Sequence, residues 1–165
     1  MSERIERATT NASKYLRAKG LKLATAESCT GGLIGYSLCA AGDTTDFFSS
    51  GFTTYTDKAK HRMLGVSEET LRLYTAVSEQ TVKEMAAGAR ERSGEDVSLS
   101  VSGYAGPDGG EDGTPAGTVW FGWGLNDGSI VAEKKHFNGD PKTVVEQAAA
   151  FALERLVELL EERGE

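Results

Sequence analysis

The run Val97-Ser98-Leu99-Ser100-Val101-Ser102 alternates without a break between apolar and hydroxyl residues. Only a β-strand puts successive side chains on opposite faces, so this run predicts a strand with one apolar face and one small-residue face. Gly103–Ala116 follows as a long glycine loop, and Gly117–Leu125 and Ser129–Phe137 then read as strands. Asn126-Asp127-Gly128 between those two strands is a strong hairpin turn.

Upstream, helices and strands alternate. From about Glu3 to Lys19, the residues Ile5, Ala8, Ala12, Tyr15 and Leu16 fall on one helical face, and Gly20 stands where a left-handed cap is wanted. Leu21–Ala26 reads as a short strand, Glu27–Gly32 as a turn and Leu33–Cys39 as a helix. Ala40–Asp46 is a loop, and Phe47–Tyr55 a strand around Gly51. Thr56 or Asp57 caps a helix that ends at Gly65, Ser67 opens a short helix, and Ser78 caps a longer one to Arg92 that closes at Gly94. Asp140-Pro141 starts the last helix, whose tail Glu158–Glu165 is a solvated acidic end. The pattern implies a three-layer α/β domain with a mixed sheet. At 165 residues the chain has room for one such domain, 1–165, burying roughly two thirds of its unfolded surface without a staple.

Charge and cysteine content narrow the function classes. With 25 acidic and 18 basic residues the net charge is −7, which disfavours nucleic acid and anionic lipid as partners. Cys29 and Cys39 cannot build a disulfide framework, and no Cys/His spacing suits zinc. His61 and His136 are far apart and unaccompanied, which favours surface or capping roles. There is neither a signal-peptide core nor an apolar run of bilayer-spanning length, so the expectation is a cytoplasmic protein with no membrane role.

Three segments can carry chemistry. In Thr25-Ala26-Glu27-Ser28-Cys29-Thr30-Gly31-Gly32, a strand turns into a helix, where α/β folds place ligands. Gly31 and Gly32 let backbone N–H groups face an anion at the helix N-terminus, and Ser28 can donate to a phosphate or act as a nucleophile. Glu27 can orient a neighbour or bind a ribose hydroxyl. The plainer alternative is a helix start capped by Thr30. Cys29 reads as a small buried residue rather than a reactive thiol. The segment is not a P-loop, a dinucleotide fingerprint or a nucleophile elbow.

In the second segment, Gly51–Lys60, Tyr55 ends a strand and Lys60 lies in the first turns of the next helix. The helix dipole there disfavours a charged amine, and burial would lower its pKa further, making Lys60 a base for a nearby hydroxyl. The alternative is a solvated lysine, like Lys58. In the third segment, Ser102 ends the small-faced strand and Gly103 opens the loop, which either closes one side of a pocket or is a mobile tether. Trp120, Phe121 and Trp123 alternate along a strand and belong to the core.

At these segments the sequence resembles the CinA C-terminal domain family, which includes PncC-type nicotinamide mononucleotide deamidases. The matching stretches are TAESCTGG (25–32), GFTTYTDKAKHRMLGVSEETL (51–71), AVSEQTVKEMAAGA (76–89), VSGYAGPDGG (101–110) and PAGTVWFG (115–122). The resemblance implies a homo-oligomeric α/β/α amidohydrolase of pyridine nucleotide salvage, with a small mononucleotide as substrate and no metal or organic cofactor. It implies active-site roles for Ser28 and Tyr55, a base role for Lys60, and ligand contacts from Ser102. The family commonly has Gly-Ser-Ser where this chain has Gly42-Asp43-Thr44-Thr45, so Thr45 takes the place of a second candidate nucleophile. A family arginine that holds phosphate is here Pro141, followed by Lys142, which binds phosphate as a point charge. The expectation is that Ser28 or Thr45 attacks the carboxamide, with Glu27, Thr30, Gly31, Gly32, Ser102, Gly103 and Lys142 around the substrate. The Gly31-Gly32 amides hold either the oxyanion or the phosphate. The alternative is a non-catalytic nucleotide-binding or assembly domain of the same family.

Overall fold

The structure is a computed structural model and describes residues 2–164; Met1 and Glu165, the last residue of the acidic tail, lie outside the described residues. Five strands form one mixed sheet: β1 (Leu23–Glu27), β2 (Phe48–Thr53), β3 (Val97–Gly103), β4 (Thr118–Gly124) and β5 (Ile130–His136). Their order is β2-β1-β3-β4-β5. The first three are parallel, and β4 and β5 join antiparallel. Parallel strands need covered faces on both sides, and every residue of β1 is buried.

On one face lie α1 (Glu3–Lys19), α2 (Leu33–Ala40) and α6 (Pro141–Arg163). Phe121, Trp123, Phe137 and Phe151 stack and abut edge to face within that layer, and the Trp123 indole N–H donates to the Ala152 carbonyl at 3.0 Å. Residues 158–163 of the acidic tail belong to α6, which buries Leu159 and Leu160 between its charged residues. The other face carries α3 (Asp57–Leu64), α4 (Glu68–Tyr74) and α5 (Glu79–Ser93). Three layers with a mixed sheet is the expected architecture.

The helix ends follow from local chemistry. Thr56, Ser78 and Asp140 each accept an N–H from the first turn of their helix. Gly20, Gly65 and Gly94 close α1, α3 and α5 in the left-handed conformation.

The small-residue face of β3 has a definite purpose. Ser98 donates to the Ala86 carbonyl at 2.6 Å and Ser100 to the Val82 carbonyl at 2.7 Å. Opposite them on β4 stand Gly124 and Gly122. A Cβ on Gly122 would lie 2.5 Å from the Val82 carbonyl oxygen, so α5 rests directly on backbone there. One helical turn on α5 keeps pace with two residues on β3.

Candidate active site

The parallel strands end together. Glu27 of β1 is level with Thr53 of β2 and Val101 of β3. The chain then leaves the sheet at three adjacent points: Ser28, Thr54-Tyr55 and Gly103-Tyr104. Two backbone bonds lock this edge. The Thr54 N–H donates to the Glu27 carbonyl at 2.8 Å, and the Ser28 N–H donates to the Val101 carbonyl at 3.0 Å. The C-terminal edge of a parallel sheet is where an α/β fold presents ligand-binding groups.

Here α3 returns the chain across the edge and inserts Lys60, which is 1% exposed. Its Nζ donates to the Ser28 hydroxyl at 2.9 Å and to the Thr54 carbonyl at 2.9 Å. Burial pushes the Lys60 pKa below its ordinary 10.5, against smaller opposing effects of Asp57 and Cys29. Deprotonated, the same amine accepts the Ser28 proton. A hydroxyl paired with a desolvated amine is the arrangement that activates serine as a nucleophile.

The pair opens into a hollow of about 270 Å³, lined in part by Ser28, Tyr55, Lys60, Ser102, Gly103 and Tyr104. Ser102 is buried and lines this space, and Tyr55, 71% exposed, stands at the mouth. Cys29 also lines the hollow, but desolvation pushes its thiol up to about 12, which leaves it protonated and inert at neutral pH. A larger groove of about 520 Å³ runs beside α3 and α4, lined by Leu71 and charged side chains, and it offers no hydroxyl.

Among the expected site residues, Ser28, Tyr55, Lys60, Ser102 and Gly103 share this hollow. Thr45 is elsewhere. It is exposed within the short 3-10 turn Thr44–Asp46 that precedes β2. Arg17 of α1 holds that turn through Asp43 and Asp46. The hollow lies past the other end of β2, roughly 20 Å away at the rise of six strand residues. Within this chain Thr45 is therefore no partner for Lys60.

The turn after β1 also differs from expectation. Thr30 is not the cap of α2; Gly32 is, with no side-chain cap bond. Instead the buried Glu27 carboxylate accepts the N–H groups of Ile34 at 2.9 Å and Gly35 at 2.8 Å. The Thr30 hydroxyl donates to the same carboxylate at 2.7 Å. The Gly31 N–H donates to the Ser28 carbonyl at 3.0 Å. A carboxylate of the chain's own thus occupies the start of α2, where an external anion would bind. Glu27 and Thr30 hold the turn in shape, and the positive φ of Gly31 and Gly32, 58° and 101°, lets it form. That fixes Ser28 one residue past the strand.

Lys142 is exposed in the first turn of α6, two residues after the cap Asp140. The neighbouring Pro141 ring lies 3.7 Å from where a Gly106 Cβ would be, so α6 begins beside the loop that lines the hollow. That loop is ordered by its own bonds: Gly110 N–H to Thr114 O at 2.9 Å, Gly113 N–H to Gly110 O at 3.1 Å, and Gly117 N–H to Tyr104 O at 2.6 Å.

Three contributors carried no expectation. Thr54 supplies the carbonyl that holds Lys60. Tyr104 lines the hollow. Gly88 lets α3 approach α5, and its signal was an isolated glycine within a helical pattern. Among the described residues no group of three or more His, Cys, Asp or Glu side chains clusters in a metal-binding arrangement. No helix among them is long and apolar enough to cross a membrane.

Comparison with known proteins bears on the fold and the family. A Klebsiella pneumoniae crystal structure of a competence-damaged protein (CinA) superfamily protein superposes with a TM-score of 0.93 at 47% identity, covering 96% of this chain and 98% of that one. Protein YdeJ of Escherichia coli strain K12 is 51% identical over 159 residues, 96% of this chain and 92% of the relative. A nicotinamide-nucleotide amidohydrolase PncC of Enterobacter agglomerans is 48% identical over 155 residues, 93% and 94% of the two chains. The profile of the CinA C-terminal domain matches residues 5–160. With nearly its whole length matched in sequence and in fold, the chain belongs to the CinA C-terminal domain family.

Proposed function

We propose that this protein is an amidohydrolase that converts nicotinamide mononucleotide to nicotinate mononucleotide and ammonia. The observation that carries the proposal is the buried Lys60 amine, 2.9 Å from the Ser28 hydroxyl at the edge of a hollow of about 270 Å³. The relatives named as nicotinamide-nucleotide amidohydrolases support the choice of substrate.

In this reading Ser28 Oγ attacks the carboxamide carbon while Lys60 Nζ takes its proton. The tetrahedral adduct collapses, the C–N bond breaks, and Lys60 hands the proton to the departing nitrogen, which leaves as ammonia. Water, deprotonated by the same amine, then attacks the Ser28 ester and releases the carboxylate. The proton goes back to Ser28. The Thr54 carbonyl keeps Lys60 aimed throughout. Tyr55 meets the ring at the mouth, Ser102 and Gly103 contact the bound ligand, and Lys142 attracts the phosphate as a point charge.

A cytoplasmic place in pyridine nucleotide salvage and assembly into homo-oligomers belong to the same proposal. Cys29 and Cys39 are both free, as suits a reducing compartment. Edge strand β2, Phe48–Thr53, bears no charge or proline to discourage pairing with another copy.

The test is ammonia release from nicotinamide mononucleotide by the purified protein, compared with Lys60→Ala. The expected result is turnover in the parent and a loss of at least about a hundredfold in the variant. Binding of the nucleotide without ammonia would identify a nucleotide-binding domain instead.

A further inference from the structure

The strand ends that carry Ser28 continue as one row across the sheet. Glu27 pairs with Val101, so Ser28 and Ser102 come next; Ser102 pairs with Trp120 on β4, and Trp120 with Lys134 on β5. Paired residues of antiparallel strands share a face of the sheet. This face is the one on which Ser100 meets α5 and Lys60 reaches Ser28. Two strand spacings, roughly 10 Å, separate the end of β1 from Trp120.

Trp120 lines a second hollow, of about 390 Å³. Val77, just ahead of α5, lines both this hollow and the one that Ser28 and Lys60 open into, so the two adjoin. They differ in charge. Asp57 and Asp108 line the first, whose amine, Lys60, is the base and works uncharged. Lys134, Lys135 and His136 line the second, and among the described residues no carboxylate does. The Lys134 ammonium stands over the half-buried Trp120 ring, 5.8 Å from its centre. Lys135 sends its amine to the other face, 5.2 Å from the centre of the Phe151 ring, so Lys134 is the ammonium on this one. The His136 Nε2–H donates to the Ala116 carbonyl at 3.0 Å, which holds that ring across from Thr118.

Nicotinamide joined to ribose is a pyridinium cation, and the phosphate at the far end of its mononucleotide is an anion. The two hollows offer the opposite charges in that order, counted from the hydroxyl that attacks the amide. We infer that the hollow beside Trp120 is a phosphate subsite of the same active site, with Lys134 as its cation, and that the substrate lies along the row from Ser28 to Lys134. This rests on the amidohydrolase reading for the pyridine end; the phosphate end stands on the second hollow alone. Lys142 lines neither hollow and attracts the phosphate from outside, whereas Lys134 holds it.

The experiment compares Lys134→Gln, Lys134→Arg, Lys135→Gln and Trp120→Phe with the parent protein. Ribose 5-phosphate carries the phosphate without the amide. It should quench tryptophan fluorescence in the parent and not in Trp120→Phe, and its midpoint should rise about tenfold in Lys134→Gln, the scale of one lost hydrogen bond to a charged group. Lys134→Arg and Lys135→Gln should stay within about twofold of the parent, although Lys135→Gln removes the same charge from the same strand. In turnover, Lys134→Gln should raise KM for nicotinamide mononucleotide about tenfold with kcat within about twofold, and leave the slower hydrolysis of nicotinamide riboside, which has no phosphate, unchanged. No quenching in the parent, an unmoved midpoint in Lys134→Gln, or an equal rise in Lys135→Gln would overturn the subsite. So would an equal KM rise for the riboside. If the parent releases no ammonia from either compound, the amidohydrolase reading fails, and the fluorescence titration alone still decides the phosphate subsite.

Discussion

Gly88 and Leu64 meet backbone to backbone: a Cβ on Gly88 would stand 1.9 Å from the Leu64 carbonyl oxygen. Leu64 ends α3, one turn beyond Lys60, so this contact sets how closely the lysine-bearing helix lies over the sheet edge. Gly88→Ala must therefore push α3 outward. The expected cost is about 1–3 kcal/mol by urea denaturation, the range for forcing a methyl group into a packed site. Turnover should fall more than for a surface Gly→Ala change such as Gly128→Ala at the hairpin, because Lys60 moves with α3.

The Lys60 pKa predicts the direction of two pH profiles. Burial lowers it from 10.5. The base form is the active one, so kcat/KM should rise with pH and level off below pH 10.5. For stability, the unfolded chain holds the Lys60 proton up to about pH 10.5, whereas the folded chain releases it at lower pH. Between those two values the unfolded state binds more protons, so the folded state gains as pH rises. The parent should gain stability relative to Lys60→Met across that window and show no change in the difference below it. Chemical denaturation at a series of pH values measures this.

Glu27 should be a stability residue, not a ligand contact. Its carboxylate takes two backbone N–H groups and one hydroxyl, all partly or fully out of water. Glu27→Ala strands the amides of Ile34 and Gly35 and should cost about 3 kcal/mol, on the scale of hydrogen bonds to a charged acceptor. Thr30→Val removes one donor and should cost about 1 kcal/mol. An unfolding midpoint unchanged in Glu27→Ala would contradict the assignment.

The local chemistry of this chain was legible from its residues. Ser78 and Asp140 read as caps, Gly65 and Gly94 as helix stops, and Asn126-Asp127-Gly128 as a hairpin, and each acts so. Cap and turn preferences depend on a few adjacent atoms, which a sequence states outright. The candidate site was only half legible. Lys60 was visible as a helix lysine, but its burial depends on strand order and on the Gly88 contact, which no local pattern states.

Glu27 and Gly31 misled for a related reason. A carboxylate and a glycine turn beside a helix start suit an incoming anion equally well as they suit each other, and the chain closes that site on itself. Thr45 was proposed through a resemblance in motif position, and the six residues of β2 carry it to the far edge of the sheet. The backbone conformation of Thr75, with φ 69°, was invisible, because threonine in a glycine conformation leaves no trace in composition or periodicity.

The choice of nucleophile is the centre of the account, and one comparison tests it most directly: ammonia release from nicotinamide mononucleotide by the parent, Ser28→Ala and Thr45→Val proteins, each confirmed folded. The account predicts a loss of about a thousandfold or more for Ser28→Ala, the scale of removing an attacking group, and a rate within about twofold of the parent for Thr45→Val. Undiminished release from Ser28→Ala, or its collapse in Thr45→Val, would contradict it.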